Sequence, residues 1–222
     1  MKSITAKKPL EELLGYLSEI RKVFVVGCGT CPTLLQTGGL EQVRELSEKF
    51  AENGKKVTGW VVLPVACEPL PADALEEFKT LVKGAEAIVV ASCAYGVRAV
   101  ADRVELPVVP ALNTLFIGRE DEQEGGTFLE ECSQCGDCVL ALTGGICPIT
   151  RCAKSLFNGP CGGSVGGKCE VDPKIPCGWQ LIYERMKALG RLHMLEEIIP
   201  ARDWRTSFSG GPRRYTIEEK ER

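Results

Sequence analysis

Three cysteines at C-x-x-C-x-x-C spacing, Cys132, Cys135 and Cys138, stand in the stretch ECSQCGDCVLALTGGICP (131–148), and Cys147 follows directly before a proline. Thiols spaced in this way form disulfides, react as nucleophiles or bind metal. Three thiolates two residues apart wrap one face of an iron–sulfur cubane, and a C-P ending closes the bacterial ferredoxin run, although the gap before it is longer here. Zinc sites more often use two C-x-x-C pairs separated by a loop. The triple spacing therefore favours iron–sulfur.

The chain carries twelve cysteines, and they divide into three groups of four. Cys28 and Cys31 (VVGCGTCP), Cys67 (VVLPVACEP) and Cys93 (VVASCAYG) each follow a valine-rich run. Cys132, Cys135, Cys138 and Cys147 form the second group. Cys152, Cys161, Cys169 and Cys177 form the third, scattered through RCAKSLFNGPCGGSVGGKCEVDPKIPCG. Glycine lets backbone N–H groups point at sulfur, and such hydrogen bonds tune a cluster's potential. In two-cluster ferredoxins the remote cysteine serves the other cluster, so Cys147 and Cys177 are interchangeable between the two C-terminal groups. Iron–sulfur is expected in at least two of the three groups, with structural zinc the alternative for one of the C-terminal ones. All twelve cysteines are thus candidate metal ligands.

Other chemistries fit less well. GCGTCP before a helix also suits a thioredoxin-like redox pair, which leaves Cys67 and Cys93 unexplained. As a dinucleotide turn it lacks the third glycine, and no acidic residue ends the second strand. A single histidine, His193, leaves almost no room for His-rich zinc sites, Cys–His nucleophile pairs or a Ser–His–Asp triad. Its helical surroundings read as packing or surface. Asp137 and Lys168 read as turn residues, and Trp179, Tyr183 and Trp204 as shielding for the metal groups. No catalytic residue is expected.

The elements that must position these thiols are legible in the first half. KVFVVG (22–27), KKVTGWVVLP (55–64), AEAIVVAS (85–92) and LPVVPAL (106–112) read as strands buried on both faces. Helical patterns lie between them over 38–54, 70–84 and 94–104. This order predicts an α/β fold with a small doubly wound, flavodoxin-like parallel sheet. Ligands of such sheets bind outside the carboxyl ends of the strands, where the first four cysteines fall. The N-terminus reads as a short basic lead into an amphipathic helix. A boundary is expected in the acidic, glycine-rich region 115–131, giving domains 1–114 and 115–222. Residues 132–178 hold eight cysteines and nine glycines with little periodicity; such a segment needs staples to fold. Residues 177–199 read as a helix broken near Gly190. The polar tail is basic at Arg202, Arg205, Arg213 and Arg214, either a docking face or a solvated terminus.

With 222 residues, 44% hydrophobic, a real core can form, and a net charge of −3 argues against nucleic acid as the main partner. No apolar run reaches the roughly 18–20 residues of a membrane span. The first residues lack the apolar core of an export signal. The expectation is a cytoplasmic protein whose thiols stay reduced, which points its cysteines to metal.

NGPCGGSVGGKCEV (158–171), CGWQLIYERMKALGRLHML (177–195) and ARDWRTSFSGGP (201–212) resemble the C-terminal cysteine-rich domain of bacterial and archaeal methylenetetrahydrofolate reductases. The front half, with VGCGTCPTLLQTGG, is similar to the front domain of the small iron–sulfur subunit (MetV type) of two-subunit enzymes of this family. The resemblance implies [4Fe-4S] clusters, with zinc accompanying iron in the family. It implies Cys161, Cys169 and Cys177 as metal ligands. It also implies a partner: a TIM-barrel subunit that carries flavin, FMN or FAD, and reduces methylenetetrahydrofolate. The electron donor would be a ferredoxin or a heterodisulfide-reductase-like complex. The expected role is therefore a non-catalytic electron-transfer subunit. The alternatives are a zinc-stabilised structural or regulatory subunit and, ranked last, a stand-alone flavoenzyme.

Overall fold

The computed structural model describes residues 2–207 and 211–212. The chain divides into two compact units that meet at Ile117 and Gly118. The first begins with strand β1 (Lys2–Lys7) and helix α1 (Leu10–Tyr16). It continues with β2 (Lys22–Cys28), α2 (Cys31–Leu34), α3 (Leu40–Glu52), β3 (Lys56–Leu63), α4 (Ala72–Leu81), β4 (Ala87–Ala91), α5 (Ala94–Ala101) and β5 (Val108–Pro110). The last strand, β6 (Leu112–Glu120), starts in the first unit and ends in the second.

Short β-branched runs separated by amphipathic helices give a mixed α/β fold with a parallel four-stranded sheet, ordered β3-β2-β4-β5. Side chains alternate across a strand, and here both faces are buried. Val23, Val25, Ala87 and Val89 pack with Leu13 and Leu17 around α1 and with Val43 and Phe50 of α3. Phe24, Val26, Ile88 and Val90 pack with Phe78 of α4 and Val100 of α5. Helices therefore cover both faces, as the continuous apolar runs of β2 and β4 require.

Register fixes where the sheet ends. Cys28 lies opposite Leu63, and Gly27 opposite Ala91, so β2, β3 and β4 stop at one level. Gly38 closes the turn after α2 onto that edge. Its carbonyl accepts from the Cys28 N–H at 3.0 Å, and a Cβ there would sit 2.1 Å from the Ala91 carbonyl oxygen. Only glycine permits so close an approach.

Two strands differ from the sequence expectation. Lys2–Lys7 is a strand, with Ile4 and Thr5 buried, rather than a basic lead. It lies beside β6 in a three-stranded sheet ordered β1-β6-β7, where β7 spans Phe128–Glu130. β6 occupies residues expected to begin a linker. Only Leu112 and Gly118 of β6 are buried, so it lacks the period-two apolar signal that burial writes into a strand.

In the second unit, β6 and β7 form an antiparallel hairpin, Gly118 opposite Glu130. The acidic stretch after Glu120 is its turn, closed by Asp121 N–H to Thr127 O at 2.8 Å. Little regular structure follows: α6 (Pro148–Arg151), α7 (Gly178–Ala188) and three short 3-10 turns. Gly190, at φ +66°, ends α7 as expected. The Gly190 N–H reaches Lys187 O and the Arg191 N–H reaches Met186 O, the paired bonds of a Schellman stop. The apolar cluster of this unit is built on Trp179, Ile182 and Met186, with Cys152 and Cys177 packed against it. Among the described residues no helix is long and apolar enough to cross a membrane.

Phe50 is fully buried at the end of α3. Phe50→Ala should cost about 3–5 kcal/mol, measured as a lowered urea midpoint at unchanged slope.

Candidate metal centres

The sheet edge gathers thiols from separate elements. Cys28 ends β2 and is buried; Cys93 caps α5 and is buried; Cys67 lies in the exposed loop after β3. Burial raises the Cys67 thiol above its ordinary value, and charge on Cys93 and Cys28 raises it further. The register that sets Gly27 opposite Ala91 brings Cys28 and Cys93 to the same sheet edge. Cys31 opens α2 beside them in sequence and is half-buried; no direct bond ties it to the other three.

The surroundings of Cys28 suit a thiolate. Burial pushes this thiol up, but hydrogen bonds from Thr30, the Ala66 N–H and Ser92 outweigh it, and the net shift is downward. The contacts are 3.2 Å from Cys28 Sγ to Thr30 Oγ1 and 3.5 Å from Ala66 N. Ser92 Oγ faces this thiol, yet it is buried and lacks a partner of good hydrogen-bond geometry. Arg103 clamps the Cys67 loop, its guanidinium donating to the carbonyls of Ala66 and Glu68. Thiolate-favouring donors at a thiol-rich edge suit a bound metal group.

The third group shares a cavity. Cys152, Cys161, Cys169 and Cys177 all line one small cavity, together with Lys154, Glu170 and Trp179. Gly178 brings two of them together, because a Cβ there would lie 2.3 Å from Arg151 O and 2.9 Å from Cys152 N. Backbone bonds from Cys177 N to Gly167 O (2.8 Å) and from Cys169 N to Ile175 O (3.1 Å) tie the other two segments. The Gly163 N–H donates to Cys161 Sγ at 3.5 Å. That bond, with lesser help from the Lys154 charge, holds the Cys161 thiol below its ordinary value. Lys154 is paired with Glu170. Four thiols on one cavity match the donor set of a tetrahedral ion or a cluster.

The second group is ordered by its backbone. Cys135 is buried while Cys132 and Cys138 are exposed. Gly136 turns at φ +85°, and the Gln134 N–H donates to Cys132 Sγ at 3.3 Å. Ser133 Oγ is buried without a partner. Cys147 is half-buried and caps α6. Among the described residues, no group of three or more Cys, His, Asp or Glu side chains stands close enough together to hold a metal ion, the third cysteine group included.

Comparison with known proteins bears on the second and third groups. Residues 109–205 match the family described as methylene-tetrahydrofolate reductase C terminal. The match spans both C-terminal cysteine groups and leaves Cys28, Cys31, Cys67 and Cys93 outside it. This part of the chain is thus similar to a domain associated with methylenetetrahydrofolate reductase. Comparison with curated proteins gives no match. One solved structure, an ABC transporter substrate-binding protein from Sphaerobacter thermophilus, aligns at 13% identity and a TM-score of 0.32 over 47% of this chain and 28% of that one. A likeness that slight carries no argument.

The remaining sequence candidates fall as follows. His193 is exposed in a 3-10 turn. Trp179 is buried against the third group, its Nε1 donating to Leu156 O at 2.9 Å. Tyr183 is exposed. Arg205 is held by both carboxylate oxygens of Asp203, and Arg213 and Arg214 lie outside the described residues. Arg202, read from sequence as part of a basic docking face, instead has its Nε and Nη1 atoms buried. Thr30, Ala66, Ser92 and Arg103 were not anticipated, whereas Gly163 is one of the glycines expected to point a backbone N–H at sulfur. Thr30, Ala66 and Ser92 each adjoin a cysteine in sequence, and Arg103, just past the end of α5, carries no such signal.

Both Cys67 and Cys161 are exposed, yet their environments shift them in opposite directions. Thiolate is the reactive form. In the reduced, metal-free chain, iodoacetamide should modify Cys161 at lower pH than Cys67, followed by peptide mass spectrometry. Coincident or reversed profiles would contradict the site geometry.

Proposed function

We propose that this chain is the electron-transfer iron–sulfur subunit of a methylenetetrahydrofolate reductase. It would take electrons from a ferredoxin-like or heterodisulfide-reductase-like donor and pass them to FMN or FAD on a TIM-barrel partner, which reduces methylenetetrahydrofolate to methyltetrahydrofolate. The observation that carries this reading is the twelve cysteines in three groups of four, two of the groups inside the region similar to that family. The thiol-rich sheet edge of the first unit supports it. There the strand order, second-first-third-fourth in the chain, suits a flavodoxin-like fold with its ligand at the strand ends.

In this reading Cys28, Cys31, Cys67 and Cys93 hold one group, Cys132, Cys135, Cys138 and Cys147 a second, and the third cysteine group a third. Cys147 and Cys177 are exchangeable between the last two. An iron–sulfur cluster supplies one-electron transfer when bound. The chain's own residues hold thiolates ready for it: Thr30 and the Ala66 N–H at Cys28, and the Gly163 N–H at Cys161. The partner binds flavin and folate, so none of these residues acts as a general acid or base.

Zinc in the third group is the second reading. The cavity between those thiols has room on the order of one water molecule, which suits a single tetrahedral ion better than a cubane. All-zinc loading would make the chain a structural or regulatory subunit.

Anaerobic purification with iron, sulfide and zinc analysis tests the proposal. With about four iron per cubane, two or three clusters give about eight to twelve iron per chain with matching sulfide. About eight iron with about one zinc would place zinc in one four-cysteine group. Zinc alone, with no iron and no visible absorbance, would overturn the electron-transfer role.

A further inference from the structure

Arg202 is placed unlike a solvated tail residue. Its Nη2 donates to the Cys135 carbonyl oxygen at 3.3 Å, an oxygen that also accepts from Thr206 Oγ1 at 2.9 Å. The guanidinium lies 5.9 Å from the ring centre of Phe157 and 5.1 Å from that of Trp204. The segment 202–206 runs hard against the cysteine turn: a Cβ on Gly136 would meet Thr206 O at 2.4 Å. The aromatic rings and this strap hold the guanidinium against the C-x-x-C-x-x-C loop.

Two of its nitrogens, Nε and Nη1, are buried and have no hydrogen-bond partner among the described residues. A buried, unpaired charge of this kind is costly. The adjacent carboxylate offers no relief, because Asp203 is engaged by Arg205. Ser133 Oγ, between Cys132 and Cys135, is likewise buried and unpartnered. Three orphaned polar atoms around one cysteine turn call for acceptors there. Sulfur carrying negative charge is the acceptor whose chemistry fits both the donors and the turn.

We propose that Arg202 is a positioning residue for the group held by the Cys132, Cys135 and Cys138 turn, with Nε–H and Nη1–H donating to cluster or thiolate sulfur. This rests on the iron–sulfur reading of that turn. A fixed cation beside the cluster stabilises its reduced form, which carries one more negative charge, and so raises its reduction potential. Ser133 Oγ–H makes a second, neutral contact of the same kind.

The experiment compares the full chain with Arg202→Gln and Arg202→Lys, all purified anaerobically. Iron and sulfide are counted first, and each protein is then titrated by potential-controlled electron paramagnetic resonance. Arg202→Gln should keep its iron. At the original midpoint of one cluster its reduced-to-oxidised ratio should fall about tenfold, about 59 mV for a one-electron couple. Arg202→Lys, which keeps the charge, should shift less.

In the unmodified chain grown with 15N-guanidinium arginine, electron–nuclear double resonance of the reduced clusters should show a 15N coupling that Arg202→Lys abolishes. This second measurement decides the matter if Arg202→Gln folds poorly or loses iron. Unchanged midpoints at full iron content, or no 15N coupling, would overturn the proposal. An unmodified chain without iron would overturn both this proposal and the function beneath it, and the first metal count shows that before any variant is compared.

Discussion

Crowded thiolates repel one another, and a cation among them removes that repulsion. At the sheet edge, burial first and then the charges of Cys93 and Cys28 hold the Cys67 thiol above its ordinary value. Much of the surrounding structure serves to bring thiols of separate elements toward one another. Parallel register stops three strands at one level. Gly38 and Gly178 allow approaches that no side chain would permit, and Arg103 pins the loop that carries Cys67. In the proposed account, bound metal turns this arrangement from a cost into a gain, because metal binding and folding share one free energy.

The two units meet this constraint differently. The first has two apolar clusters, one on each face of its sheet, with Cys28 a member of one of them. The second builds its apolar cluster on Trp179, Ile182 and Met186, and two of its cysteines, Cys152 and Cys177, are packed into that cluster. Few large side chains serve a long glycine-rich segment there. Sulfur–metal bonds would then contribute to the fold itself, as in other small domains with too little core. In the proposed account Arg202 belongs to the same logic: its buried Nε and Nη1 atoms would face negative sulfur.

Much of the first unit was legible because burial on both faces writes continuous valine-rich runs, and amphipathic helices write their own period. Strands β2 to β5 and helices α3 to α5 lie where the sequence places them. β1 and β6 escaped notice because their stability comes from backbone pairing rather than from apolar alternation. The break at Gly190 was legible because a left-handed stop favours glycine. Cys152, Cys161, Cys169 and Cys177, grouped by count in the sequence, line one small cavity, yet among the described residues no three of them stand close enough to hold one ion. Their ordering within the loops was not legible, since it depends on backbone bonds such as Cys177 N to Gly167 O. The burial of Arg202 Nε and Nη1 was not legible, because the sequence offers only a docking face or a solvated terminus for a basic tail, and the placement depends on Phe157 and Trp204, the former far away in sequence.

The central claim is that electrons leave this chain for a flavin. The most direct measurement mixes the anaerobically reduced chain, freed of excess reductant, with the oxidised flavin-bearing methylenetetrahydrofolate reductase subunit in a stopped-flow spectrometer. The account predicts that flavin absorbance bleaches while the visible absorbance of the oxidised clusters returns, with electrons conserved between the two. A flavin that stays oxidised beside clusters that stay reduced would contradict it.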